Sequence, residues 1–352
     1  EHHNSPNWYA THLAAELATK SPVAKYFNDY PKVFLSNSGT EANEAAFKLC
    51  KNYRLYVTRE PNRVRAIYFK NGFAGRTRGS LVATSSNPAA QRDPFWSFQD
   101  QANTEYLSYP RESYDWHEFK KEFDKINLRE IDHILMEVPM QGEGGIIPVD
   151  EAALRYIYEK ARTANVIFIA DCVQTGIGRV GTLFGCDIFD WFHPDILTMG
   201  KALGGGNPIG ATIFRRDLDW VSPGMHSNTF GGGPKVARVA MNVLSKVKKL
   251  IADDVIEKIA KILDSRLREF YRYGCVDDVR GKGAMWAVEM SKTALRDEII
   301  RRGEELVLEE EYGLRLLGAG RKAVRIMPPL IISGAELNLA IDLLHKVLQS
   351  LD

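Results

Sequence analysis

Almost wholly apolar runs, separated by segments with helical spacing, recur through the first two thirds of this chain and restrict its fold more than any other feature. VIFIAD (166–171) and HILMEV (133–138) are the plainest, and KVFLS (32–36), RAIYF (65–69), DILTM (195–199) and IGATIF (209–214) read alike. A strand that is apolar on both faces has to be covered on both faces, as in a parallel sheet lying between helices. The segments TEANEAAFKLCKNYRLYV (40–57), DWHEFKKEFDKI (115–126) and EAALRYIYEKARTAN (151–165) carry apolar residues at helical spacing and supply that cover. The pattern predicts an α/β fold with a mostly parallel central sheet covered by helices. The polar, turn-rich stretch from 76 to 114 is expected to be irregular; loops of that length in compact domains commonly carry function.

After residue 245 the character changes. Amphipathic segments DVIEKIAKILDSRLREFYR (254–272), LRDEIIRRGEELVLEEE (295–311) and AELNLAIDLLHKVLQSL (335–351) alternate with MWAVEM (285–290), LRLLG (314–318) and AVRIM (323–327). They predict a smaller C-terminal α+β domain over 246–352, following a large domain over 1–245; 352 residues suffice for two cores. A formal net charge of +1 gives no general reason to expect a nucleic-acid or anionic-membrane partner. No apolar run approaches the roughly 20 residues of a membrane-spanning helix. The opening EHHNSPNWYA does not read as a signal peptide and contains no Met, so the N-terminal segment is expected to be incomplete. Cys50, Cys172, Cys186 and Cys275 are widely spaced without a CxxC pair, which predicts neither a metal site nor a disulfide framework and fits a reduced, cytoplasmic protein.

Three places carry chemistry. Lys201, in DILTMGKALGGGNPIGA, follows an apolar strand and precedes Gly204–Gly206. A lysine there can approach a flat cofactor, and partial desolvation of its amine favours nucleophilic or Schiff-base chemistry. On spacing alone a surface turn lysine before a flexible loop is an equal reading. Asp171 ends VIFIAD, and Gln174 follows in DCVQTGIGRVG. Ligands of open α/β sheets bind at such strand ends, where an acid can hold a protonated ring nitrogen and Gln174 could donate to a ring oxygen. A turn-capping role explains Asp171 equally well. SNSGTEANEAAFKL (36–49) places Ser38, Gly39 and Thr40 at a helix start, where free N–H groups and the helix dipole favour a phosphate. An ordinary N-cap with a following Glu fits the same residues.

Together with HSNTFGG, VRGKGAMWAVEM and VRIMPPLIIS, these motifs stand in an order and spacing that resemble the class III (ω-amino-acid) aminotransferases of fold-type I over nearly the whole chain. The resemblance implies pyridoxal 5'-phosphate as cofactor, an amino-acid donor, a 2-oxo-acid acceptor, and a homodimer with two active sites at the subunit interface. By matched residue it implies that Lys201 carries the cofactor as a Schiff base and moves protons, and that Asp171 pairs with the ring nitrogen. Phe73, in GFAGR, would stack on the ring. Gly39 and Thr40 would bind the phosphate, and Thr229, in HSNTFGG, would reach the phosphate of the neighbouring subunit's cofactor. Arg325 matches the arginine that grips a substrate α-carboxylate, Glu143 the carboxylate that neutralises it when no such group is present, and Arg76 a second carboxylate-binding arginine. An arginine fork suits a carboxylate bidentately.

The sequence departs from the family pattern at Val138, where EPxQGE has its first Glu, at Cys172, where a Glu follows the Asp, and at Ala74, where His or Trp follows the aromatic. EMSKTALRDE (289–298) is also shorter than the corresponding family stretch. The resemblance implies transamination between an ω-amino acid and 2-oxoglutarate, 4-aminobutyrate being the first expectation. Acetylornithine, ornithine and lysine derivatives are the nearby alternatives. An aminomutase or racemase of the same fold would have no use for Arg325 in its MPPL setting, and a non-catalytic binding protein would have none for Lys201, Asp171 and Arg325 together.

Overall fold

A computed structural model of the chain describes residues 7–24, 29–98, 103–111, 116–306 and 313–351. In chain order the strands are β1 (Lys32–Ser36), β2 (Arg65–Phe69), β3 (Thr104–Leu107), β4 (Ile131–Glu137), β5 (Met140–Gln141), β6 (Ile147–Pro148), β7 (Ile167–Asp171), β8 (Ile196–Met199), β9 (Gly210–Phe214), β10 (Val276–Lys282), β11 (Met285–Met290), β12 (Leu317–Ala319) and β13 (Ala323–Ile326). A seven-stranded sheet runs β1-β9-β8-β7-β4-β2-β3. β3, β2, β4, β7 and β8 pair in parallel, whereas β9 is antiparallel to both its neighbours. The link from β8 to β9, residues 200–209, is shorter than the dozen or more residues a parallel crossover needs, so the chain must turn back.

The apolar runs are explained by two-sided burial. Along β7, Phe168 and Ala170 face one core and Ile167 and Ile169 the other. The first core takes Leu13 and Leu17 from the helix Trp8–Lys20, Leu154 and Ile157 from Glu151–Thr163, and Ala240 and Leu244 from Pro234–Ala252. The second takes Ala46 and Leu49 from the helix Gly39–Asn52. Each fully buried Leu or Ile contributes about 1.5–3 kcal/mol. A separate antiparallel sheet, β10-β11-β13-β12, packs with the helices Val255–Arg268, Thr293–Glu305 and Gly334–Gln349 around its own core, which runs from Ile259 to Leu348. Residue 245 falls inside the helix Pro234–Ala252.

Several elements differ from the sequence-based expectation. Residues 99–102 and 112–114 of the stretch 76–114 lie outside the described residues; the rest is not wholly irregular, and contains the short helices Arg78–Val82 and Pro88–Gln91 and the edge strand β3. β3 shows no apolar run because only Leu107 is buried. The sequence pattern does not predict β10; Val276 and Val279 face the core, Asp277 is exposed, Arg280 turns back onto the Gly145 and Ile146 carbonyls, and a bulge breaks its alternation. The strand expected over 314–318 lies instead at Leu317–Ala319, on the sheet edge. Position 115 of the expected helix 115–126 and positions 307–311 of the expected helix 295–311 lie outside the described residues, as do residues 1–6 of the opening segment.

Candidate active site

The parallel strands deliver their carboxyl ends to one cleft, the place where open α/β sheets bind ligands. β4 ends at Glu137, β7 at Asp171, and β8 leads through Gly200 to Lys201. β1 leads to the helix Gly39–Asn52, and β2 to Phe73. The resulting cavity, about 300 Å³, is lined by Lys201, Asp171, Gln174, Phe73, Arg76, Ser38, Gly39 and Thr40, all singled out in the sequence. Asn43, Ala74, Gly75, Glu137 and Val173 line it as well.

Lys201 has a φ of +44°, in the left-handed region. For a side-chain-bearing residue that conformation costs about 1–3 kcal/mol and persists only where the surrounding structure holds it. Asp171 is 3% exposed. Its Oδ2 accepts from Asn43 Nδ2 at 2.8 Å and its Oδ1 from the Val173 N–H at 2.9 Å. Burial pushes its pKa above the ordinary value, opposed by those two donors and by the Lys201 charge. Ser38 caps the helix, accepting from the Glu41 N–H at 3.3 Å. A Cβ at Gly39 would lie 2.6 Å from Val173 Cγ1, so a side chain there would force Val173 to move. Thr40 Oγ1 shares hydrogen bonds with Thr77 Oγ1 at 2.9 Å and Ser80 Oγ at 2.7 Å. Arg76 is exposed, its guanidinium 6.0 Å from the centre of the Phe73 ring.

Beside the cleft, Arg325 on β13 grips Glu143 bidentately, Nη1 to Oε1 at 3.1 Å and Nη2 to Oε2 at 2.8 Å. Gln174 Nε2 donates to the same Glu143 Oε1 at 3.1 Å. Burial works to raise the Glu143 pKa, but the Arg325 hydrogen bonds and charge hold it below the usual carboxylate value. Thr229 is exposed and does not line this cavity.

Two buried polar residues of the site were not singled out by the sequence. Asn43 bonds Asp171 and also donates to the Ala74 carbonyl at 2.8 Å, while its Oδ1 accepts from Thr198 Oγ1 at 2.8 Å. A polar residue among the buried Ala42, Ala46 and Leu49 of one helix was its signal. Glu137 is the residue before Val138 and stands opposite Asp171 in the parallel register. An acid ending an apolar run, just as Asp171 ends VIFIAD, was its signal. Of the departures from the family pattern, Val138 points into the core, and its carbonyl accepts from Thr175 Oγ1 at 2.6 Å and Cys172 Sγ at 3.4 Å. Ala74 is buried, with its N–H on Thr84 Oγ1 at 3.0 Å.

A family model described as aminotransferase class-III matches residues 2–348. An acetylornithine aminotransferase of Clostridium acetobutylicum is 34% identical over 343 residues, covering 97% of this chain and 82% of the relative. An ornithine aminotransferase of Plasmodium yoelii yoelii is 32% identical over 330 residues, covering 92% and 75%. Among solved structures, an ornithine aminotransferase from Toxoplasma gondii, described with partial occupancy of pyridoxal phosphate at its active site, superposes with a TM-score of 0.83 at 28% identity, covering 99% and 78%. A Bacillus anthracis aminotransferase shares the fold with a TM-score of 0.85 at 24% identity, covering 99% and 81%.

Glu137 gives the cleft a measurable pH signature. Burial, then the Asp171 charge, push its pKa up to about 8, against the N–H groups of Gly142 and Phe73 and the charge of Lys201. Between the ordinary carboxylate value and about 8 the folded protein keeps a proton that the unfolded chain has released, so stability falls as pH rises through that window. Glu137→Gln removes this share, and its Tm should decline less steeply than the parent's between about pH 5 and about pH 8. Parallel Tm curves would mean that Glu137 titrates in the fold as it does in the unfolded chain.

Proposed function

The chain belongs to the class-III aminotransferases, and from that premise we propose that it transfers the terminal amine of a donor of the acetylornithine–ornithine kind to 2-oxoglutarate. The names of the curated relatives at 34% and 32% identity support this donor class over 4-aminobutyrate, the first expectation from the sequence. The observation that carries a two-substrate reading is the bidentate Arg325–Glu143 pair beside the Lys201 cleft.

The family is dependent on pyridoxal phosphate, and the residues present fit that group. One cavity brings together an amine, a buried carboxyl group at a strand end, an aromatic wall and the start of a helix with its free N–H groups. When bound, the cofactor supplies an electron-withdrawing ring that takes up the electron pair released at the substrate carbon. Asp171, held by Asn43, would keep the ring nitrogen protonated. Gly39, Thr40 and Ser38 would receive the phosphate at the helix start. Phe73 would pack against the ring, and Gln174 has a second amide N–H to offer the ring oxygen. Lys201 would bind the cofactor covalently and carry the proton to and from the substrate carbon.

An acetylornithine or ornithine donor reacts at its terminal amine and presents its carboxylate at the far end, within the province of Arg76. Glu143 would neutralise Arg325 during that half. Glutamate places a carboxylate beside the reacting carbon, and Arg325 would leave Glu143 to bind it. On the same reading residues 1–245 hold the cofactor and 246–352 form the smaller domain that brings Arg325. The protein works as a homodimer in which Thr229, exposed in its own subunit, completes the other subunit's phosphate site. Four free, buried cysteines support a reducing, cytoplasmic setting.

A single-turnover panel of acetylornithine, ornithine and 4-aminobutyrate, read by the change in cofactor absorbance, tests the donor class. One of the first two should react fastest, and Lys201→Ala should react with none. A clear lead for 4-aminobutyrate would return the assignment to the first expectation. A substrate carboxylate that loses its charged partner costs about 3–5 kcal/mol, so Arg325→Ala should slow the glutamate half-reaction by roughly a hundredfold or more; the donor half should lose less, because the Glu143 left without its partner is 33% exposed and stays partly hydrated. Equal losses in both halves would make Arg325 a structural residue. For the dimer, light scattering on the active enzyme should give twice the chain mass, and Thr229→Ala should weaken cofactor binding. A fully active monomer would remove Thr229 from the site.

A further inference from the structure

Glu137 has no part in the transamination chemistry outlined above, yet it occupies the wall of the cleft. It is 7% exposed, and among the described residues no ion pair reaches it. A buried carboxyl group without a direct ion-pair partner is costly to retain unless hydrogen bonds satisfy it. Here each oxygen accepts one backbone N–H: Oε1 from Phe73 at 3.0 Å and Oε2 from Gly142 at 2.9 Å. The residue itself is fixed from behind, by the β4–β7 register with Asp171 and by Tyr109, whose hydroxyl donates to the Glu137 carbonyl at 2.7 Å.

The two amides belong to two different loops. Phe73 is the aromatic wall of the cleft, and Gly142 precedes Glu143, the partner of Arg325. Gly142 also supports Gln174: a Cβ at Gly142 would lie 1.1 Å from Gln174 Oε1, so only glycine lets this backbone reach Glu137 while Gln174 lies against it. Gln174 in turn donates to Glu143. A shift of Gly142 would therefore disturb Glu143 directly along the chain and again through Gln174.

We propose that Glu137 is a positioning residue: one carboxyl group, anchored at the end of β4, clamps the loop bearing Phe73 and the loop bearing Glu143 to each other and sets the spacing between the aromatic wall of the cleft and the Arg325–Glu143 pair beside it. The clamp gives the acid at 137 a task where Val138 replaces the family's Glu. The roles of Phe73 and Glu143 rest on the proposed function, but the clamp is a statement about this chain's own backbone.

Amide hydrogen exchange of the purified holoenzyme, followed by mass spectrometry on peptides spanning 70–76 and 139–145, tests it. Loss of a buried hydrogen bond should accelerate exchange about ten- to a hundredfold. Glu137→Ala should do so in both segments, with strands β4 and β7 unchanged. Glu137→Gln keeps the shape but only one acceptor oxygen, and should release one segment and spare the other. With Lys201 and Asp171 intact, kcat of the glutamate half-reaction should fall about tenfold in Glu137→Gln while cofactor stays bound. If Glu137→Ala exchanges faster throughout the chain, it has misfolded and Glu137→Gln decides. Release confined to one segment supports the clamp, and unchanged protection in both overturns it. The exchange result does not depend on which donor reacts, so a failed donor assignment and a failed clamp are distinguishable.

Discussion

Two acids end neighbouring buried strands and face each other in register: Glu137 on β4 and Asp171 on β7. The architecture of the cleft depends on keeping both carboxyl groups out of water, a placement that a protein sustains only with hydrogen-bond donors or charges in the right positions. Asp171 is satisfied by Asn43 and the Val173 N–H, Glu137 by the amides of Phe73 and Gly142. Those donors come from a helix and three loops, so satisfying two acids gathers the start of the helix Gly39–Asn52 and the aromatic wall around Lys201 and ties the Gly142–Glu143 turn to the edge of the cleft. Burial raises both pKa values, and the like charges raise Glu137 further.

The second constraint is the joint between the two sheets. Arg325 lies on β13 of the small antiparallel sheet, whereas Glu143 follows β5, next to the large one. Their bidentate pair spans the joint, and Arg325 Nη2 also donates to the Gly318 carbonyl on β12. A guanidinium can exchange one carboxylate for another of similar geometry without changing its own fork. That chemistry makes such a pair suited to an enzyme whose two substrates differ in where they carry a carboxylate.

Much of the fold was legible because burial writes itself into sequence. β4, β7, β8 and β9 are buried along their whole length and appear as apolar runs. Strands with one exposed face or an irregular register left a weaker trace. β10 is broken by a bulge and β3 buries only Leu107, and neither was read from the sequence. In the site, Lys201, Asp171 and Gly39 were legible because each sits at a motif with its own chemical logic, and Phe73 only through the family resemblance; the cleft brings the four together. Asn43 and Glu137 were not, although each is a polar residue in an otherwise buried pattern.

What the sequence determined by itself was the layered α/β architecture, the strand ends at which polar residues would emerge, and membership of a family whose motifs it carries in order. What only the tertiary structure decided was which of those polar residues satisfy one another. Glu137 and Phe73 are 64 positions apart, Asn43 and Asp171 128, and Glu143 and Arg325 182. Hydrogen bonds and ion pairs of that separation leave no periodicity in the chain. They depend on distances of about 3 Å that exist only once the strands have paired and the helices have packed.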